Sequence, residues 1–114
     1  RLELRSPDPS CNPYLALAVI LRAGLDGIKR NLRPPEPVNR NIYKLTPAER
    51  LAAGVGNLPG TLGEALEALA EDEVVRDALG EHIYNRFVEA KQIEWDIYRT
   101  QIHAWEVEQY LTVF

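Results

Sequence analysis

The chain has 114 residues, of which 13 are Lys or Arg and 17 are Asp or Glu, so its formal net charge at pH 7 is −4. The length fits one domain or a part of a larger one. The acidic balance argues against a general nucleic-acid binder and against a membrane-surface binder, since either needs a basic surface. The longest apolar run, from Tyr14 to Leu21, is far shorter than the ~20 residues that cross a bilayer.

The composition also indicates a cellular compartment. Residues 1–5 read Arg-Leu-Glu-Leu-Arg and lack the apolar stretch of a secretion signal. The single cysteine, Cys11, cannot form an internal disulfide, which fits a reducing compartment, and we expect the cytoplasm. Without a motif around it, Cys11 is expected to be a small buried hydrophobic residue. The sequence holds no methionine and opens in the middle of an alternating pattern, so we expect a segment of a longer polypeptide.

The first five residues alternate between charged and apolar side chains, which is typical of a half-buried strand. Such a strand places Arg1, Glu3 and Arg5 on one face, about 7 Å apart, and the two leucines on the other face. A lone strand cannot satisfy its own backbone, so its sheet partners would have to come from elsewhere. We therefore predict a mostly α chain with one N-terminal strand, residues 1–5.

A helix is predicted over residues 13–30, because Asn12 is a good N-cap and the proline after it suits the first helical position. The first half of this helix is apolar in all directions, which predicts burial on every side. Gly24 and Gly27 reduce helix propensity and indicate the close approach of another backbone. Residues 31–45 begin with a stretch that contains three prolines, which predicts an extended surface connection.

Residues 46–102 predict a helical bundle. Two helix starts in it have a threonine followed three residues later by a glutamate, at Thr46 and at Thr61, which is the pattern of a capping box. The longest helical apolar period runs from Glu81 to about Gln101. The remaining residues, 103–114, form a tail rich in aromatic side chains, although chain ends are usually polar. The tail predicts an anchor in a pocket of this subunit or of a neighbouring one, formed by Trp105, Tyr110, Leu111 and Phe114.

The charged face of the predicted strand is the strongest candidate for chemistry. On the pattern alone, a solvated face with cross-strand charge pairs is the favoured interpretation. The alternative is a Glu3 carboxylate that binds a hard divalent cation, flanked by guanidinium groups that bind phosphate or carboxylate oxygens. The two histidines, His82 and His103, are too far apart to form a local ligand pair, and the glycines match no nucleotide-binding motif.

Several motifs carry more information than the periodicity of the sequence. The run R-L-E-L-R-S-P-D-P-S-C-N-P-Y, followed by A-G-L-D-G-I, closely resembles the start of the last quarter of bacterial type I glutamine synthetase. The resemblance continues through N-I-Y-K-L-T-P-A-E-R, L-G-E-H and I-E-W-D to H-A-W-E-V-E-Q-Y, and covers essentially the whole chain. The form of these motifs is similar to the subtype of Gram-positive bacteria. The resemblance implies that residues 1–114 are the C-terminal segment of an α+β catalytic domain.

The resemblance also implies an activity, the ATP-dependent ligation of ammonia to L-glutamate through glutamyl phosphate. By position in the motif R-x-E-x-R, Glu3 would bind the catalytic Mg²⁺ or Mn²⁺ and Arg5 would be catalytic, binding substrate glutamate and the reacting phosphate. Arg1 would lie toward the nucleotide phosphates. The other metal ligands of the family lie upstream of this segment, so we expect the isolated chain to be inactive, because these cations need several oxygen ligands.

Partners are implied as well. Family members assemble as two stacked hexameric rings, and residues 103–114 would contribute to the contact between rings. The resembled subtype also contacts nitrogen-control repressors. An alternative is a non-catalytic helical module that binds a synthetase or a nitrogen regulator.

The family usually has proline where Ala104 stands, so we expect either a looser turn here or a continued long helix. Tyr43 matches a position that some members adenylylate, but in this subtype we expect it to pack under the Pro-rich connection.

Overall fold

A computed structural model describes residues 3–113, and these form five α-helices and one short 3₁₀-helix. The longest helix lies at the centre of the packing, since both the first and the third helix pack against it. The helices are α1 (Pro13–Lys29), α2 (Pro47–Ala52), α3 (Leu62–Glu71), α4 (Glu73–Tyr98) and α5 (Ala104–Tyr110), and the 3₁₀-helix Ile42–Lys44 precedes α2.

Side-chain caps define where the first helices begin. The Asn12 Oδ1 accepts hydrogen bonds from the backbone N–H groups of Tyr14 and Leu15, at 3.0 and 3.4 Å. At α2 the capping box is complete, because the Thr46 hydroxyl accepts from the Glu49 N–H and the Glu49 carboxylate accepts from the Thr46 N–H. These bonds satisfy donors that have no partner inside a helix, so the local sequence alone sets these helix starts.

The caps of α3 and α4 differ from the complete capping box of α2. The Thr61 hydroxyl accepts from the Glu64 N–H at 3.1 Å, but the Glu64 carboxylate accepts from the Gly60 N–H at 2.7 Å, one residue before the expected position. Asp72 caps α4 by accepting from the Val75 N–H at 3.0 Å. The box predicted at Thr61 is therefore shifted outward, and it closes the turn before the helix.

A single glycine interrupts α4. Gly80 has φ 72° and ψ 156°, a conformation that a residue with a Cβ avoids, so the helix bends between its short first part and the long part that begins at Glu81. The bend lets the first part pack near α1, where the Arg22 guanidinium pairs with Asp77 at 3.1 Å. This pair is partly exposed, 39% at Arg22 and 72% at Asp77, so water screens it and it contributes little by itself.

The core of the described residues is small. Leu66 of α3 and Leu79 and Tyr84 of α4 are the buried hydrophobic residues, and the Arg76 guanidinium lies over the Tyr84 ring, 5.1 Å from its centre. The radius of gyration is 18.4 Å, whereas a compact domain of this size has about 13 Å. The chain is therefore an open helical framework, and much of its apolar surface faces outward.

The predicted N-terminal strand is wrong for the residues that the structure describes. Residues 3–5 form no strand, and no strand occurs anywhere in residues 3–113. The physical reason is that a strand needs a neighbour to take its backbone hydrogen bonds, and the helices described here offer none. Arg1 and Leu2 lie outside the described residues.

The expected burial of α1 on every side is also not found. α4 covers one side of α1, and no residue of α1 is fully buried. Cys11, expected to be buried, is exposed. The Tyr43 side chain is 98% exposed, so its ring does not pack under the Pro-rich connection. In each case the covering surface that the sequence analysis assumed is not supplied by residues 3–113.

The sequence left open whether the long helix continues through Ala104, and the structure shows where that helix ends. The long helix does not continue into the tail, because Arg99 is its C-cap and α5 begins separately after His103. The Glu106 carboxylate accepts a hydrogen bond from the His103 N–H at 2.9 Å, which supports the new helix start without proline. None of the helices in residues 3–113 combines the length and the apolar character needed to cross a bilayer.

Gly63 is required by the contact between α3 and α4. A Cβ at this position would lie 2.8 Å from the Trp95 indole, so Gly63→Ala forces the ring to move. Overpacking of this kind costs about 1–3 kcal/mol, and the gain in helix propensity returns up to about 1 kcal/mol. We predict a net loss of about 1 kcal/mol in thermal unfolding followed by circular dichroism. Gly24→Ala is the matched control, because no atom lies within 4 Å, and it should stabilise α1.

The capping box of α2 is predicted to depend on pH. The hydrogen bonds from Thr46 hold the pKa of Glu49 below its usual range. A lowered pKa in the folded state means that this contribution is present above the usual glutamate pKa of about 4.3 and is lost as the pH falls through the folded value. NMR should show the Thr46 amide losing protection in that acidic window. Glu49→Gln should remove the pH step, and an unchanged step in that variant would contradict the assignment.

Candidate functional site

Glu3 and Arg5 precede the turn into α1. The Arg5 Nε donates a hydrogen bond to the carboxylate of Glu3, two residues earlier in the chain. The two side chains stay 69% and 86% exposed, so water screens the pair strongly. An exposed ion pair contributes about 0–1 kcal/mol, which means that either side chain can leave it easily.

A tight turn connects these residues to α1. The Asp8 carboxylate accepts a hydrogen bond from the Ser10 N–H, and the Asp8 carbonyl accepts from the Cys11 N–H at 3.0 Å. The first of these bonds is the main reason that the pKa of Asp8 lies below its usual range. Two prolines in the same turn fix backbone angles. These bonds and prolines fix the turn relative to the start of α1.

The donor groups of the chain decide how well a divalent cation fits here. Mg²⁺ and Mn²⁺ prefer oxygen ligands, and Mg²⁺ takes six of them. The Glu3 carboxylate has the right chemistry and is accessible. Within residues 3–113, however, no three His, Cys, Asp or Glu side chains gather in a way that could hold an ion. The described residues therefore offer one accessible carboxylate here and no complete set of cation ligands.

The aromatic tail is exposed. The Trp105 and Tyr110 rings meet edge to face, with centres 6.1 Å apart, but their residues are 61% and 54% exposed. Leu111 is 73% exposed, and Phe114 lies outside the described residues. The pocket expected for this anchor is not formed by residues 3–113, so the tail prediction stays untested on this chain.

Two features escaped the sequence analysis. The first is an open apolar groove of about 690 Å³ between α1, α3 and α4, to which Val19, Leu69 and Phe87 contribute. The second is a row of three rings. The Trp95 and Tyr98 rings stack with centres 6.0 Å apart, and the centre of the Tyr98 ring lies 5.2 Å from that of His103, the residue before α5. The apolar period from Glu81 to about Gln101 predicted the helix that carries Trp95 and Tyr98, but no sequence signal connected these two rings to the segment that follows the helix.

Comparison with known proteins gives a consistent result. The family described as "Glutamine synthetase, catalytic domain" matches residues 1–110. A glutamine synthetase of Thermus thermophilus is 60% identical over all of this chain, and one of Staphylococcus aureus is 59% identical over 97% of it. The solved structure described as "Apo GmaS without ligand" superimposes with a TM-score of 0.75 at 35% identity over 95% of the chain.

These matches cover only part of each relative. The chain spans about a quarter of the length of the curated relatives, 26% and 25%, and 24% of the solved structure. The resemblance to a Gram-positive-like bacterial family, stated from the motifs, is confirmed by these relatives. The similarity extends from the Arg-Leu-Glu-Leu-Arg segment to the tail, so the candidate site and the tail lie within the matched region of the first relative.

The isolated chain is predicted to lack a tight metal site, because a single carboxylate must first leave its partner Arg5 and then supply all the protein ligands. Calorimetric titration of the 114-residue chain with Mn²⁺ should show no binding at micromolar concentration. Glu3→Gln should give the same flat titration as the unaltered chain. A saturable micromolar signal that disappears in Glu3→Gln would contradict the prediction.

Proposed function

This chain belongs to the glutamine synthetase catalytic-domain family, and from that premise we propose that it forms the C-terminal part of an enzyme that ligates ammonia to L-glutamate. The energy would come from ATP, with glutamyl phosphate as the intermediate. The observation that carries the proposal is the 60% identity to a glutamine synthetase over the whole of this chain. The enzyme would use Mg²⁺ or Mn²⁺.

The proposed chemistry needs positive charge around phosphoryl oxygens. Negative charge develops there when phosphate is transferred to the glutamate side chain and again when ammonia displaces it, and fixed cationic groups stabilise that charge. A bound divalent cation would act as a Lewis acid on these oxygens. In this chain Glu3 would be the carboxylate that binds the cation, and its weak exposed pair with Arg5 supports that role, because the pair can open at little cost.

Arg5 would then be free to bind substrate. Its planar guanidinium can donate to two oxygens at once, which suits both a carboxylate and a phosphate group. Arg5 is 86% exposed, so no part of the described chain blocks its approach to a ligand. Arg1, by its place in the motif, would bind phosphate oxygens of the nucleotide. In the proposed reaction Glu3 and Arg5 would separate when the ligands bind. Glu3 would then bind the cation, and Arg5 would bind the carboxylate or phosphate oxygens of the substrate.

The tail would act in assembly. Trp105, Tyr110 and Leu111 are large side chains left exposed, which suits an anchor in another subunit of a ring assembly, and Phe114 would join them. A contact of the same region with a nitrogen-control repressor stays a prediction from the sequence. In isolation the chain would be inactive, since it brings one cation arm and none of the other ligands.

The proposal is tested in a chimera in which this 114-residue segment replaces the matching quarter of the Thermus thermophilus relative. We predict an active, assembled enzyme, and Glu3→Ala in the chimera should reduce ligase activity by at least about 100-fold, the upper range for losing even an indirect metal contact. Glu36→Ala, an exposed carboxylate on the Pro-rich connection, is the matched control and should keep full activity. Activity is read as ATP-dependent glutamine formation.

The non-catalytic module predicts a different result from the same protein. An assembled chimera that is inactive with the unaltered segment, or equal activity in Glu3→Ala and Glu36→Ala, would contradict the ligase proposal. Size-exclusion chromatography of every variant separates a loss of chemistry from a loss of assembly.

A further inference from the structure

A notch of about 440 Å³ opens between the start of α3 and the end of α4. Two stacked aromatic rings of α4 line it, Trp95 and Tyr98, with centres 6.0 Å apart and planes 28° from parallel. The other lining residues are Glu94 of α4 and residues 60–62, which lead into α3. Aromatic faces attract organic cations, and a carboxylate beside them adds Coulomb attraction.

The two rings are held in place and can still be reached from solvent. The Trp95 indole packs directly on α3, since a Cβ at Gly63 would lie 2.8 Å from it. Tyr98 is 57% exposed, and the centre of its ring lies 5.2 Å from that of His103. Rings that are already ordered lose little freedom when a ligand binds, so their faces can hold a cation at a low cost in entropy.

Charged groups around the notch favour a cation over an anion. The positive N-terminal end of α3 already has a carboxylate, because Glu64 accepts a hydrogen bond from the Gly60 N–H at 2.7 Å. The Glu94 carboxylate accepts from the Lys91 ammonium at 2.8 Å, but the Glu94 side chain stays 57% exposed. A carboxylate has about four acceptor positions, so Glu94 can accept further hydrogen bonds from a second cation.

The end of α4 adds to this preference. The last carbonyl groups of a helix form its negative end, and a positive charge placed there is stabilised. The last turn of α4 contains no basic residue. Arg99, the C-cap, pairs with Asp96 at 2.8 Å. The aromatic faces, the carboxylate and the helix end therefore all favour a cation beside Tyr98.

We propose that this notch binds an arginine side chain in a basic segment of a partner protein. A guanidinium is planar, so it can stack on the Tyr98 ring while its N–H groups donate to Glu94. A positively charged segment also complements this chain, whose formal net charge is −4. The inference goes beyond the ligase proposal and does not depend on it.

The surroundings of the notch favour a peptide segment over a free guanidinium compound. Exposed apolar side chains accompany Tyr98 along the chain, since Ile97, Ile102 and Trp105 are 58%, 78% and 61% exposed. The contact between the Tyr98 and His103 rings keeps the start of the following segment close to the notch. A peptide can place apolar neighbours of its arginine on such side chains, whereas a small guanidinium compound fills the notch alone.

The test titrates the assembled chimera with the peptide acetyl-Leu-Arg-Leu-amide in a calorimeter. The matched probe has citrulline in place of arginine, because citrulline keeps the shape of the side chain and loses its charge. We expect saturable binding of the arginine peptide with a dissociation constant on the order of 1 mM or lower. The citrulline peptide should bind at least about fivefold more weakly, since it lacks the cation–π attraction.

Two variants locate the binding. Tyr98→Leu removes the aromatic face but keeps a large apolar side chain, and it should weaken binding of the arginine peptide at least about fivefold. This variant should fold, because Tyr98 is more than half exposed. Tyr43→Leu is the matched control, since it is the same substitution at a tyrosine that is 98% exposed and lies outside the notch, and it should leave the affinity unchanged.

The outcomes decide the inference without reference to the proposed function. Equal affinity for the two peptides would overturn it, and so would equal affinity of the Tyr98→Leu and Tyr43→Leu chimeras for the arginine peptide. An assembled chimera that binds neither peptide would overturn it as well, as expected if another subunit covers the notch. Ligase activity is measured on the same samples and should be unchanged in both variants, so a loss of peptide binding in an active enzyme counts only for the notch.

Discussion

The contact of α1 and α3 with α4 is the interaction on which the described fold depends. It is the place where apolar side chains are removed from water, at Leu66, Leu79 and Tyr84. Burial of one such side chain contributes about 1.5–3 kcal/mol, while ordering each residue costs about 1–2 kcal/mol of conformational entropy. Three such residues make a small core for a chain of this length, and many large apolar side chains of the described helices stay exposed.

The parts of the fold that the sequence predicted well are local. Asn12 and Thr46 cap helices because their side chains reach donors two or three residues away, and such bonds need no tertiary partner. The parts that it predicted wrongly depend on distant surfaces. Alternation in residues 1–5 indicates a strand only if another strand is available, and the apolar first half of α1 indicates burial only if something covers it.

The candidate site shows the same difference between local features, which the sequence predicts, and features that depend on distant surfaces. The spacing of Glu3 and Arg5 predicts that they share a face, and in the structure they touch. The sequence also identified Glu3 as a carboxylate suited to a divalent cation, but the number of ligands in a cation site is a property of the assembled domain. The groove between α1, α3 and α4 could not be found from periodicity, because its shape depends on the bend at Gly80 and on how the helices cross.

The ion pair at the candidate site is weak because it is exposed, and the fold around it is open. A carboxylate that is to bind a cation must not be committed to a strong buried partner, since breaking such a pair costs several kcal/mol. Within the described residues Glu3 has only an exposed pair with Arg5, and the turn at Asp8 lies between this pair and α1. A surface that covered the two side chains would lower the local dielectric and so strengthen the interaction of each with a charged ligand.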